Sequence, residues 1–257
     1  MANYLSLPGA RRETAPFFFS RPERTPIALL LIHGLAASPW EVLEIGKKAF
    51  QTGFSAYGVR LAGHGTSVED LEKQSWKEWV RSVREGYDLL TRFSDRVVLV
   101  GESLGGLLSL YAASEQLGEG VITLAAPLCL KWLPRMIIRS VPPPIRFLDR
   151  KLAPGTEPYY YPRHSVHALR EMLDLSRVVE QRLTQVRQPL FVLQSERDSR
   201  VDPESGRRIY EKAGAGVREL ITFSRDKGIP HVMTTRENPV LDEVLERLFS
   251  FLKRNFA

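Results

Sequence analysis

Short apolar runs alternate along this chain with longer stretches in which apolar residues recur every three or four positions. The short runs, at 27–32, 54–59, 97–101, 121–125, 190–194 and 219–223, predict strands. Most lack polar alternation, as strands covered on both faces do. The longer stretches, at 40–51, 76–93, 104–117, 203–213 and 239–253, predict helices between them. Such a succession predicts an α/β fold: a mostly parallel, doubly wound sheet with helices on both faces.

The rhythm breaks between 128 and 188, where no convincing strand is visible. Its first half is rich in proline and cations, yet Trp132, Met136, Ile137, Ile138 and Phe147 make it too apolar for a linker. In its second half Val166, Leu169, Leu173, Val179 and Leu183 recur at roughly helical spacing, which predicts an amphipathic helix returning to the sheet. The expected organisation is one core built from 1–127 and 189–257, with 128–188 as a small cap, or lid, over a pocket. A chain of 257 residues is compatible with one such unit.

Composition changes this picture little: 43% hydrophobic and 26% charged residues are ordinary globular usage. The longest clean apolar run, 27–32, falls far short of the roughly 20 residues that cross a bilayer. Phe17 to Phe19 is too brief for the core of a signal peptide, so a cytoplasmic location is expected. The single cysteine, Cys129, excludes an internal disulfide and a cysteine metal cluster; it is expected to be a small buried hydrophobe. The net charge of +6 is spread among 30 acidic residues without a basic tract or reading motif, which argues against nucleic acid.

The chemistry is concentrated at Gly101-Glu102-Ser103-Leu104-Gly105, a G-x-S-x-G pattern. The bare pattern arises by chance in about one chain in ten to twenty of this length. Its setting is more specific, because a buried strand leads into it and an apolar helix leaves it, as at a nucleophile elbow. There a serine hydroxyl stands above the sheet edge and the helix N-terminus faces the reacting carbonyl.

In α/β-hydrolases with this elbow the order along the chain is Ser, then Asp or Glu, then His. His33 and His64 precede Ser103, and His164 and His167 fall in the insertion, so His231, after the last strand, is the expected base. The acid is expected in the turn after strand 190–194, where Asp198 is the choice and Asp202 the reserve. Asp202 has a competing role as a cap for the helix beginning near Pro203. Strand 27–32 ends in His33-Gly34-Leu35, placing the Leu35 and Leu104 backbone N–H groups as expected oxyanion donors, with His33 pinning the loop.

Taken together these residues resemble the bacterial carboxylesterases and monoacylglycerol lipases of the α/β-hydrolase fold along nearly the whole chain. The likeness is carried by Leu-Ile-His-Gly-Leu at 31–35, Ala-Gly-His-Gly-Thr at 62–66, the stretch 76–87, Gly-Glu-Ser-Leu-Gly-Gly at 101–106, Arg-Asp-Ser-Arg-Val at 197–201 and Pro-His-Val at 230–232. The resemblance implies hydrolysis of short- to medium-chain esters or monoacylglycerols through an acyl-enzyme, without metal or cofactor, and an oxyanion hole at Leu35 and Leu104. Two departures stand out: the loop 223–230 is long and charged for this family, and 128–188 matches least.

The partner expected is therefore a small-molecule acyl ester, the protein being a monomer or a dimer. Thioester or amide hydrolysis by the same three residues is the alternative, followed by a non-catalytic ligand-binding protein. Lys131, Arg135, Arg139, Arg146, Arg150 and Lys151 interleave with apolar residues of the cap. They are read either as solvated rim charges or as a transient contact with an anionic lipid surface.

Overall fold

A computed structural model describes residues 3–4 and 12–256, without the side chains of Asn3, Tyr4, Arg12 and 132–134. Its centre is an eight-stranded sheet in the order β1-β2-β4-β3-β5-β6-β9-β10. These strands are β1 (Asn3–Tyr4), β2 (Phe17–Phe19), β3 (Thr25–Ile32), β4 (Ser55–Val59), β5 (Ser94–Glu102), β6 (Gly120–Leu124), β9 (Leu190–Ser195) and β10 (Arg218–Phe223). From β4 to β10 every pairing is parallel, whereas β1 and β2 add an antiparallel edge.

The alternating positions of the central strands explain why both faces need helices. In β3, Ala28, Leu30 and Ile32 enter one apolar cluster while Ile27, Leu29 and Leu31 enter the other. In β5, Val97 and Leu99 oppose Val98 and Val100 in the same way. The first face is covered by α3 (Trp76–Leu90), α4 (Leu104–Ser114), α6 (Val166–Arg182) and α7 (Glu204–Lys212). The second is covered by α1 (Leu43–Gln51) and α8 (Leu241–Phe256). A short α2 (Val68–Glu72) begins at Ser67, whose hydroxyl accepts from the Asp70 N–H.

All six expected core strands are present, but sequence periodicity missed β1 and β2. Phe17 of β2 is buried beneath Gly58, where a Cβ would stand 2.2 Å from the ring, so three residues suffice to extend the sheet past β4. The expected helix at 40–51 opens as a 3-10 turn, Pro39–Val42, because Pro39 starts it in a tight conformation.

The segment between β6 and β9 contains α5 (Trp132–Ser140), then β7 (Phe147–Asp149) paired antiparallel with β8 (Arg163–Ser165), then α6. The expectation of no strand there is therefore incorrect; two three-residue strands are too short for a period of two to register. The amphipathic helix exists as α6, capped by Ser165, but Met172 and Leu175 are buried where Leu173 had been expected. Cys129 is half-buried rather than buried, its backbone N–H and carbonyl both bonded to the buried Ser205 hydroxyl. Among the described residues no helix is long and apolar enough to cross a membrane.

Candidate active site

β5 runs directly into Ser103, whose backbone takes φ 52° and ψ −116°, a region that a residue with a Cβ avoids. The flanking glycines make that turn sterically feasible. A Cβ on Gly105 would stand 2.0 Å from the Ile32 carbonyl oxygen, and one on Gly101 would stand 2.0 Å from the Gly105 carbonyl oxygen. The Ser103 N–H donates to Leu124 O at 2.8 Å, tying the turn to β6. Strain of this kind persists only where the surroundings enforce it.

His231 arrives from the loop between β10 and α8 and lies against this turn. The Ser103 Oγ is 2.9 Å from His231 Nε2, and His231 Nδ1 is 2.7 Å from Asp198 Oδ2. A carboxylate only accepts, so Nδ1 carries the proton and Nε2 is left to accept from the serine hydroxyl. Asp198 is fully buried after β9, and its Oδ1 accepts from the Arg200 and Val201 N–H groups at 2.8 and 3.0 Å. Burial would raise its carboxyl, but the electrostatic pull and hydrogen bond of the adjoining imidazole together with these two amides prevail and hold it below the usual range. Asp202, the reserve, is elsewhere engaged: its Oδ1 accepts from the Glu204 N–H at the start of α7.

The turn after β3 supplies the facing wall. His33 is wholly buried; its Nε2 accepts from the Leu61 N–H at 3.3 Å and its Nδ1 donates to Gly34 O at 2.8 Å. Burial and the neighbouring His64 push its pKa well down, so it remains a neutral strut. Leu35 stands in this turn and Leu104 opens α4, and among the described residues neither backbone N–H has an acceptor. Both are thereby free to face a developing oxyanion.

Two buried carboxylates support the arrangement and were not singled out from the sequence. Glu41 Oε2 accepts from the Gly34 N–H at 2.6 Å, its Oε1 accepts from the Tyr160 hydroxyl at 3.0 Å, and its own carbonyl accepts from Thr234 Oγ1 at 2.6 Å. It joins the turn after β3 to the His231 loop. Glu102 accepts from the Met233 N–H at 3.2 Å, two residues past the imidazole. Burial raises both carboxyls, Glu102 well above its ordinary value with the Glu41 charge adding to the effect. Glu41 sits at the front of a helix-patterned stretch and Glu102 fills a free position of the motif, so no local signal marked either.

Above Ser103 and His231 opens a cavity of about 300 Å³. Its wall is largely aliphatic, with Ile137, Ile138, Leu148, Leu169 and Met172 from the 128–188 segment. The arrangement sets a hydroxyl against an imidazole and the imidazole against a buried carboxylate, with two unbonded amides and an apolar space beside them, a set of groups that can carry out acyl transfer.

Comparison with known proteins gives a consistent result. The model of a family described as alpha/beta hydrolase matches residues 29–249. The chain is 24% identical over 245 residues to a thermostable monoacylglycerol lipase of a Bacillus species, covering 93% of this chain and 94% of that protein. It is likewise 24% identical over 247 residues to a carboxylesterase of Bacillus subtilis, covering 93% and 96%. Among solved structures, one described under the metagenome-derived lipolytic enzymes LipS and LipT superposes with a TM-score of 0.83 at 24% identity, covering 97% of this chain and 100% of that one.

Proposed function

This chain belongs to the alpha/beta hydrolase family, and we propose that it is a serine carboxylic ester hydrolase acting on short- to medium-chain acyl esters or monoacylglycerols. The observation that carries the reading is the unbroken row from Ser103 Oγ through His231 to Asp198, at 2.9 and 2.7 Å, beneath an apolar cavity. Similarity to a monoacylglycerol lipase and a carboxylesterase over nearly the full chain supports the substrate class.

In this reading Ser103 Oγ attacks the ester carbonyl while its proton passes to His231 Nε2. Charge collects on the carbonyl oxygen, where the Leu35 and Leu104 amides receive it; one such donor contributes about 3 kcal/mol to the transition state. Asp198 holds the imidazole in position and balances its transient positive charge. Collapse of the tetrahedral intermediate breaks the bond to the leaving alcohol, which takes the proton from His231 and leaves Ser103 acylated. Water, deprotonated by the same nitrogen, attacks the acyl-enzyme and releases the acid, restoring the hydroxyl.

The segment 128–188 is the cap of this proposal, contributing most of the apolar wall that receives the acyl chain. Its cations do not form one uniform rim: Arg146 pairs with Glu72, whereas Arg150 lies half-buried over the Tyr160 ring at 4.9 Å. That distribution favours a cap packed on its own pocket over a lipid-binding face. The lone half-buried cysteine fits a reducing, cytoplasmic setting.

Turnover of p-nitrophenyl esters of increasing chain length, set beside matched thioester and amide substrates, tests the reading. Ester kcat/KM exceeding that of thioester and amide, with an optimum at short to medium chains, is the expected result. Faster thioester or amide cleavage would reassign the substrate, since the three side chains serve any acyl transfer.

A further inference from the structure

Beyond Ser103 and His231, the polar side chains that reach the cavity among the described residues are His164 of β8 and Arg200 of the loop after β9. Arg150 stands behind them. Its N–H donates to Pro162 O at 2.9 Å, and its charge acts on both His164 and Arg200.

Arg150 has the Tyr160 ring beneath it at 4.9 Å, but among the described residues neither guanidinium meets a carboxylate. Among the described residues the side chains of Arg150 and Arg200 enter no ion pair and no hydrogen bond, although Arg146, Arg182, Arg207, Arg208 and Arg254 all meet carboxylates. Among the described residues Arg150 Nε and Nη1 and His164 Nδ1 are buried without a hydrogen-bond partner. The carboxylate whose charge acts on Arg150 is Glu41, and its oxygens are already taken by the Gly34 N–H and the Tyr160 hydroxyl.

Buried donors are almost always satisfied, and two like charges held near one another repel. An anion in the cavity would accept from the Arg200 guanidinium and the His164 ring, in hydrogen bonds of the strongest class, and would screen the repulsion between Arg200 and Arg150. The rest of the wall, including Ile138, Leu148 and Met172, is aliphatic and suits hydrocarbon, with Leu148 directly across the β7–β8 pair from His164.

We propose that Arg150, Arg200 and His164 form a subsite for a negatively charged group, so that the preferred substrates are acyl esters that also carry a carboxylate or a phosphate. The proposal rests on the ester-hydrolase reading and narrows its substrate class. Arg200 reaches the cavity and contacts the anion directly, while Arg150, outside the cavity wall, adds its charge.

Two substrate pairs test it at low ionic strength and locate the charge. The mono-p-nitrophenyl ester of adipate against p-nitrophenyl hexanoate places a carboxylate on the acyl side. The butyryl monoester of glycerol 3-phosphate against monobutyrylglycerol places a phosphate on the alcohol side. In at least one pair the anionic ester is expected to have the higher kcat/KM by about tenfold or more, with the preference weakening as salt is added. In the Arg150→Gln/Arg200→Gln double variant that ratio is expected to fall towards one. Should the double variant fold poorly, Arg200→Gln alone, at an exposed position, carries the same comparison.

Turnover of the neutral esters with no anionic preference in either pair overturns the subsite and leaves the ester-hydrolase reading standing. A preference that survives loss of both guanidinium groups overturns it equally. No turnover of any of the four esters, together with no reaction of Ser103 with a fluorophosphonate, would sink the ester-hydrolase reading and the subsite with it.

Discussion

The turn at Ser103 and the segment over it both hold polar groups in costly positions, by opposite means. Ser103 is kept in a disfavoured backbone conformation by backbone alone: β3, β5 and β6 converge on it, and the spaces at Gly101 and Gly105 are filled by carbonyl groups. The 128–188 segment is assembled from three-residue strands, a short α5 and an α6 anchored on the core. It leaves Met136, Ile137 and Ile145 exposed, and Arg150 and His164 short of partners. Chemistry that tolerates little displacement belongs on the first kind of framework, and recognition that differs between relatives belongs on the second.

The two regions are expected to differ most at glycine. Gly105→Ala places a methyl group against a carbonyl of the central strand and is expected to cost more than about 4 kcal/mol, with loss of activity. Gly155→Ala, in the overlying segment, meets open space and carries only the strain of its positive φ of +84°, about 1 kcal/mol. Urea denaturation of the two variants measures both. Equal losses would show that backbone packing does not separate the regions.

An acid titration gives the next largest effect. His64, buried beside His33 below the Ser103 turn, has its pKa pushed down to about 4 by burial. Between the ordinary value near 6.5 and about 4, the unfolded chain binds a proton that the native chain refuses. Stability therefore falls as the pH drops through that window, by about 3 kcal/mol from this group. In the overlying segment His164 is pushed down to about 3 by burial and by Arg150 and Arg200, so its loss continues to lower pH. Urea midpoints from pH 7 to pH 3 should fall less steeply in a His64→Gln variant, chiefly above about pH 4. An identical slope in the variant would remove His64 from the explanation.

The smallest effect is expected on the outer surface of the segment. Met136→Gln and Ile145→Thr, at positions 44% and 45% exposed, should change stability by no more than about 0.5 kcal/mol. A loss of 2 kcal/mol or more, the size of a core truncation, would mean that these side chains are covered in solution.

The same division governs what was legible in the sequence. The strands β3, β5, β6 and β9 are continuous apolar runs because both of their faces are buried, and they stood out. Ser103, Asp198, His231, Leu35 and Leu104 could be chosen because a strand end or a Gly-rich turn marks each of them, and the structure brings them to one edge of the sheet. Glu41, Glu102, Arg150 and His164 were not singled out for the site because their significance lies in contacts far along the chain. Glu41 to Tyr160 spans 119 residues, and Met233 to Glu102 spans 131. The β7–β8 pair was missed because its pattern is shorter than any period that could reveal it.

The central claim is that Ser103 is a nucleophile activated by His231, and covalent labelling tests it most directly. After exposure to a neutral fluorophosphonate, peptide mass mapping should find one phosphonyl group on Ser103, with labelling abolished by Ser103→Ala and strongly slowed by His231→Ala. Equal labelling of the wild type and Ser103→Ala, or modification at another residue, would contradict the account.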